Sequence, residues 1–188
     1  MELIQSIDIA VLKWIHGNLQ CLSLDTLCPI LRTKTTWIPL YLLFTYYIWR
    51  KFPDEFWKIF ITTILVTALC DILCARLLKP LFQRPRPCQI AEFQFWLNQF
   101  PFCSQTYSFP SCHAMNHASL ASFLFYFIPK TYRWLLAVWV VTISFSQVYI
   151  GVHYPSDVIG GILIGATIGY IGSIWIRSKC IGINEKLD

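Results

Sequence analysis

The chain has 188 residues, 56% apolar and 16% aromatic, with a mean hydropathy of +0.53. That balance excludes a disordered polar chain and a set of soluble domains, and predicts one all-α unit embedded in a bilayer. The formal charge of +5 does not point to nucleic acid, because the basic residues are scattered along the flanks of apolar runs without a stripe of interleaved aromatics.

Residues 3–17 set Leu3, Ile4, Ile7, Ile9, Ala10, Val11, Leu12, Trp14 and Ile15 among Gln5, Ser6, Asp8, Lys13 and His16, the pattern of an amphipathic helix lying in the membrane interface. A turn at Gly17-Asn18 and a short helix around Leu24 to Leu31 follow, with His16 as a helix-end residue. Met1 to Ala10 carries Glu2 and Asp8 and lacks a basic leader, so insertion is expected to use the spans themselves. Apolar runs at 36–49, 59–78, 114–128, 134–150 and 158–176 predict about five transmembrane helices. The first is short, and Arg32, Lys34, Arg50 and Lys51 can snorkel to the two interfaces. Residues 1–35 are thus expected as interfacial helices, 36–176 as a transmembrane core and 177–188 as a tail. Five spans put Arg50, Lys51, Lys58, Lys130, Arg133, Arg177, Lys179 and Lys186 on one side, which the positive-inside rule makes cytoplasmic. The loops after the second and fourth spans then face outward.

The second span carries Asp71 and Arg76, ionisable groups that face a protein interior or a polar cavity; structural pairing is the simpler reading of both. Cys70 and Cys74 read as small core residues. At the end of that span, Lys79-Pro-Leu-Phe-Gln-Arg-Pro-Arg-Pro is either flanking charge on a stiff turn or a cradle in which Lys79 and Arg86 converge on one anion. The segment Cys88 to Phe109 is rich in aromatics, including Phe93, Phe95, Trp96, Phe100 and Phe102, and is expected to border a lipid entrance. An outward loop suits a Cys88–Cys103 disulfide, with Cys21 and Cys28 as a weaker second pair. No His/Cys spacing matches a metal site.

Pro110-Ser111-Cys112-His113 opens the third span as a helix start whose free N–H groups suit an anion, or as a capping serine with an incidental histidine. His117 reads as packed in the bundle. The fourth span leads into Ser-Gln-Val-Tyr-Ile-Gly-Val-His-Tyr-Pro-Ser-Asp, residues 146–157. Here Asp157 can hold one nitrogen of His153 and leave the other free to attack, or it can simply cap the last helix. In that helix Gly161, Gly165, Gly169 and Ser173 form a small-residue ridge for close packing.

Lys79-x6-Arg86-Pro87, Pro110-Ser111-Cys112-His113 and Ser146-Gln147-x5-His153-x3-Asp157 together resemble the three signature motifs of the type 2 phosphatidic acid phosphatase superfamily, over about residues 70–176. The resemblance implies a metal-free, cofactor-free lipid phosphatase in which His153 forms a phosphohistidine, Asp157 orients it and His113 protonates the leaving oxygen. Lys79, Arg86, Ser111 and the Cys112 and Gln147 positions would hold the phosphoryl oxygens. The short chain is similar to bacterial members acting on undecaprenyl diphosphate, which implies an inner-membrane enzyme with its site on the extracytoplasmic face. Phosphatidic acid, phosphatidylglycerol phosphate and lipid A phosphates are the rival substrates, and a catalytically degenerate lipid-binding relative the rival class. Two residues depart from the family pattern: Cys112 stands where glycine is usual and Gln147 where arginine is usual. A lost charge-assisted hydrogen bond of roughly 1.5–3 kcal/mol corresponds to about ten- to a hundredfold in rate, so a slowed enzyme is expected.

Overall fold

The computed structural model describes residues 2–97 and 103–180, with the backbone alone for 94–96. Within these residues the fold is helical throughout. Helix α1, Glu2–Asn18, exposes Leu3, Ile4, Ile7, Val11 and Trp14 along one stripe and buries Asp8, Leu12 and Ile15 on the other. Helix α2, Leu22–Arg32, seats Cys28 in the same cluster as Leu12 and Ile15. A 3-10 turn at Lys34–Trp37 leads into α3, Ile38–Lys51, where Pro39 occupies a first-turn position whose N–H would have no helical partner anyway.

Helix α4, Phe56–Ile72, continues through a π-helical stretch, Leu73–Leu78, into the short α5, Lys79–Phe82. The wider π turn shifts the helix face just before Lys79. Gln83, in the left-handed region at φ 48°, ends the run. A further short helix, α6, spans Ala91–Leu97. Helices α7, Cys112–Leu124, α8, Arg133–Tyr149, and α9, Pro155–Lys179, complete the bundle. The tail expected at 177–188 lies outside the described residues from 181 onward, as do Phe100 and Phe102.

The five apolar runs correspond to α3, α4 through α5, α7, α8 and α9. Of the described helices, two are long and apolar enough to cross a membrane: Pro53–Phe82, at a mean hydropathy of 2.0, and Pro155–Lys179, at 1.7. Helices α3, α7 and α8 have 14, 13 and 17 residues. The small-residue ridge of α9 lies on α7 so closely that a Cβ at Gly165 would stand 2.1 Å from the Met115 carbonyl oxygen, and one at Gly169 as close to that of Ser119. That contact aligns the start of α7 with the start of α9.

Two expectations about cysteine need correction. Cys74 is no plain core residue, since it forms a disulfide with Cys112, Cα to Cα 5.6 Å, across 38 residues of sequence. Cys21 and Cys28 are unpaired thiols. They lie seven residues apart along α2 and its cap, about 10 Å at ~1.5 Å per residue, beyond the ~7 Å a disulfide can bridge. The Cys88–Cys103 disulfide is present, at a Cα separation of 5.8 Å.

Candidate active site

The chain brings the ends of four helical segments together. Ser111, the N-cap of α7, accepts from the Ala114 N–H through its hydroxyl, while its own N–H donates to the Asp157 carbonyl at 3.0 Å. Motif two is thereby pinned to motif three through backbone. Asp157, third residue of α9, accepts from the Tyr154 N–H at 2.8 Å, so one carboxylate caps the helix and also faces His153. The N-cap of α9 is Tyr154, so Asp157 stands at the third helical position rather than at the cap itself, where the simpler sequence reading put it.

His153 sits in the loop between α8 and α9, 2% exposed. Its Nδ1 lies 3.6 Å from Asp157 Oδ2, within ion-pair reach and longer than a hydrogen bond. Arg86 Nη1 approaches Nε2 at 3.3 Å. A guanidinium only donates, so Nε2 must carry the lone pair and Nδ1 the proton, the tautomer a nucleophilic imidazole needs. Burial, with the nearby Arg86 charge, pushes the His153 pKa down to about 4, against the pull of Asp157, so the ring is neutral at physiological pH.

Arg86 is buried and held by the carbonyls of Thr106, at 2.8 Å, and Val152, at 2.9 Å, with the Thr106 hydroxyl at 3.0 Å. Burial and the neighbouring Arg32 charge lower its pKa to about 10, which leaves it cationic. Lys79, also buried, donates to the Tyr107 carbonyl. These cations are held mainly by neutral oxygens, which leaves their charge available to an anion.

Asp157 is itself clamped. Arg84 Nη1 donates to its Oδ1 at 2.6 Å and to Ser156 Oγ at 2.8 Å, Arg84 Nη2 donates to Asp8 Oδ2 at 2.7 Å, and the Ser108 hydroxyl donates to Asp157 Oδ2. Asp8 accepts in turn from the Ser156 N–H at 2.9 Å. Burial disfavours the Arg84 charge, but Asp157 and Asp8 outweigh it and raise its pKa. Asp8 and Ser108 were missed in the sequence; the available signal for Asp8 was an acid at i, i+4 and i+7 spacing with the buried Leu12 and Ile15.

His113 lies at the meeting of two cavities, and Arg32, Lys34 and His153 are within electrostatic reach of its ring. Arg32 and Lys34, expected as interface-flanking cations, therefore border the site. Of the remaining expected residues, Cys112 turns away from phosphate binding: its sulfur is bonded to Cys74, and it opens α7 in ordinary helical conformation, so no positive φ is required of it. Gln147 is fully buried, its carbonyl accepting from the Val152 and His153 N–H groups, and both polar atoms of its side chain have no hydrogen-bond partner. His117 is packed as expected, with Nδ1 2.7 Å from the His113 carbonyl and Nε2 3.0 Å from the Tyr41 hydroxyl. Among the described residues no group of three or more His, Cys, Asp or Glu could hold a metal ion.

A neutral imidazole backed by a carboxylate, with buried cations around its free nitrogen, suits covalent phosphoryl transfer, and the apolar bundle carrying it suits a lipid. Fold and site define the class of membrane lipid phosphatases. The chain belongs to the PAP2 superfamily, whose profile matches residues 56–179. It is 30% identical over 182 residues to a lipid A 4'-phosphatase of Bacteroides thetaiotaomicron, covering 91% of this chain and 77% of that one. A lipid A 4'-phosphatase of Porphyromonas gingivalis is 29% identical, covering 96% and 80%. In fold, the chain is similar to a crystal structure of a transmembrane PAP2 type phosphatidylglycerolphosphate phosphatase from Bacillus subtilis, with a TM-score of 0.66 at 21% identity, covering 100% of this chain and 89% of the other.

Proposed function

We propose that the chain removes a phosphate from a glycolipid of the lipid A class through a phosphohistidine on His153, at the extracytoplasmic face of a bacterial inner membrane. The observation that carries the chemistry is the Arg86 contact on His153 Nε2, with Nδ1 turned to Asp157. Nε2 attacks phosphorus, the bond from phosphorus to the lipid oxygen breaks, and His113 gives that oxygen a proton. His113 then takes a proton from water, whose oxygen attacks phosphorus, releasing inorganic phosphate and restoring the imidazole. Lys79, Arg86 and the amides at the start of α7 hold the phosphoryl oxygens, with Gln147 supplying a neutral donor where the family has a charge.

The lipid A class is favoured by relatives that align over nearly the whole chain. The outward-facing site is favoured by the two disulfides, Cys74–Cys112 and Cys88–Cys103, which tie the segments around it and persist in oxidising compartments. Undecaprenyl diphosphate is the second reading. Arg32 and Lys34 border the cavity beside His113, where they suit a leaving group that itself carries a phosphate.

Purified full-length protein, assayed for phosphate release with EDTA present, tests the proposal with lipid A, undecaprenyl diphosphate and phosphatidic acid. The expected order puts lipid A first, with no release by His153→Ala. Faster turnover of the prenyl diphosphate would favour the second reading, and dependence on added metal would remove the mechanism.

A further inference from the structure

Asp71, near the end of α4, is the acidic residue of that helix, and the chemistry above leaves it without a task. It lines a cavity of about 540 Å³ bordered by Lys34 and His113 and by residues of α3, α4 and α7 as far as Phe56 and Leu124. His113 and Leu124 are eleven residues apart on α7, so the cavity follows that helix for about 16 Å at ~1.5 Å per residue. Its wall is mostly aromatic and aliphatic, the surface a lipid chain would cover.

Two polar pairs interrupt that wall. In the first, both nitrogens of His117 are engaged, by the Tyr41 hydroxyl and the His113 carbonyl, so the pair is closed. The second is open. Asn116 Nδ2 donates to Asp71 Oδ1 at 2.7 Å, which fixes the carboxylate against the cavity, and Asp71 is solvent-exposed there. No ion pair involving Asp71 is formed among the described residues, although a carboxylate in a membrane-embedded, apolar cavity is costly unless a donor reaches it. Asn116 lies three residues beyond His113, about 4.5 Å deeper along α7.

We infer that the Asp71–Asn116 pair reads a hydroxyl on the substrate's acyl chain, one helical turn below the reacting phosphate. A carboxylate only accepts, so it can select a chain that donates. Plain acyl chains of glycerophospholipids and prenyl chains carry no donor at that depth, whereas hydroxyacyl glycolipid phosphates do. This specificity rests on the reading that His153 turns over a lipid phosphate, and it selects within that reading the hydroxyacyl class.

The test uses two glucosamine-based lipid phosphates that differ only in a hydroxyl near the head of the acyl chain, with the purified full-length protein in detergent. The wild type should prefer the hydroxylated lipid by about ten- to a hundredfold in kcat/KM, the span of one hydrogen bond to a charged acceptor. The preference should lie in KM, because a tail contact is the same in ground and transition states. Asp71→Leu should bring the ratio close to one, and Asp71→Asn, which still offers an oxygen, should retain part of it. A wild-type ratio near one overturns the inference whether or not the variants fold, and so does an Asp71→Leu ratio equal to that of the wild type. Failure of the wild type to release phosphate from either lipid would overturn the phosphatase reading and this inference with it; turnover of both lipids at equal efficiency overturns this inference alone.

Discussion

At His153 two neighbours flank the ring: Arg86 Nη1 stands 3.3 Å from Nε2 and the Asp157 carboxylate 3.6 Å from Nδ1. In the proposed mechanism the neutral ring attacks, and burial lowers its pKa to about 4, so the acid limb of kcat/KM should fall near pH 4 rather than near the ordinary histidine value of about 6.5. The sign follows from the direction of the shift: a lowered pKa extends the active, unprotonated form toward acid. A rate profile from pH 3.5 to 8 checks it, and an acid limb at 6.5 would show that the ring is not desolvated. Gln147 offers a second test at this scale. Its side-chain amide is buried with no partner, a state that costs about 1–3 kcal/mol, and phosphoryl oxygens would supply the missing acceptor. Gln147→Met should leave the melting temperature unchanged or raised while lowering kcat/KM about tenfold, since one hydrogen bond to a charged oxygen is lost. Unchanged activity would mean that the amide never meets the substrate.

Among the elements, α9 on α7 is the contact that registers the site. A Cβ at Gly165 meets the Met115 carbonyl oxygen at 2.1 Å, and backbone cannot swing aside as a side chain can. Gly165→Ala should therefore destabilise by roughly 1–3 kcal/mol, read as a lower melting temperature in detergent, with activity lost in parallel. Helix α1 contributes differently. Its exposed Leu3, Ile4, Ile7, Val11 and Trp14 form one stripe, while Asp8 on the opposite face grips Arg84, which grips Asp157. Helix α1 is thus tied to the carboxylate that faces His153. Arg84→Met should lower kcat by about tenfold with little change in KM, because it loosens the orienting carboxylate without touching phosphate. A rise in KM alone would instead give Arg84 a substrate contact.

For the whole molecule, helix ends converge on one side, where α5 ends, α7 starts, α8 ends and α9 starts, and the disulfides Cys74–Cys112 and Cys88–Cys103 staple that side. Thiol labelling without reductant should modify Cys21, which is exposed, and leave these four cysteines unmodified until they are reduced. Labelling of Cys112 before reduction would break the staple and return that side chain to the phosphate cradle.

The sequence by itself determined the helical class, the three motifs and their common edge, because apolar periodicity and helix-start residues are local signals and a span that ends on one side makes the next begin there. It also showed the α9 ridge and the Cys88–Cys103 pair. Only the tertiary structure decided which distant groups meet. Cys74 finds Cys112 on another helix, Asp8 reaches Asp157 through Arg84 from 149 residues away in sequence, and Asp71 faces a cavity rather than the Arg76 of its own helix. Such contacts depend on how helices rotate and slide against one another, and that is set by side-chain packing across the bundle, which no local pattern contains.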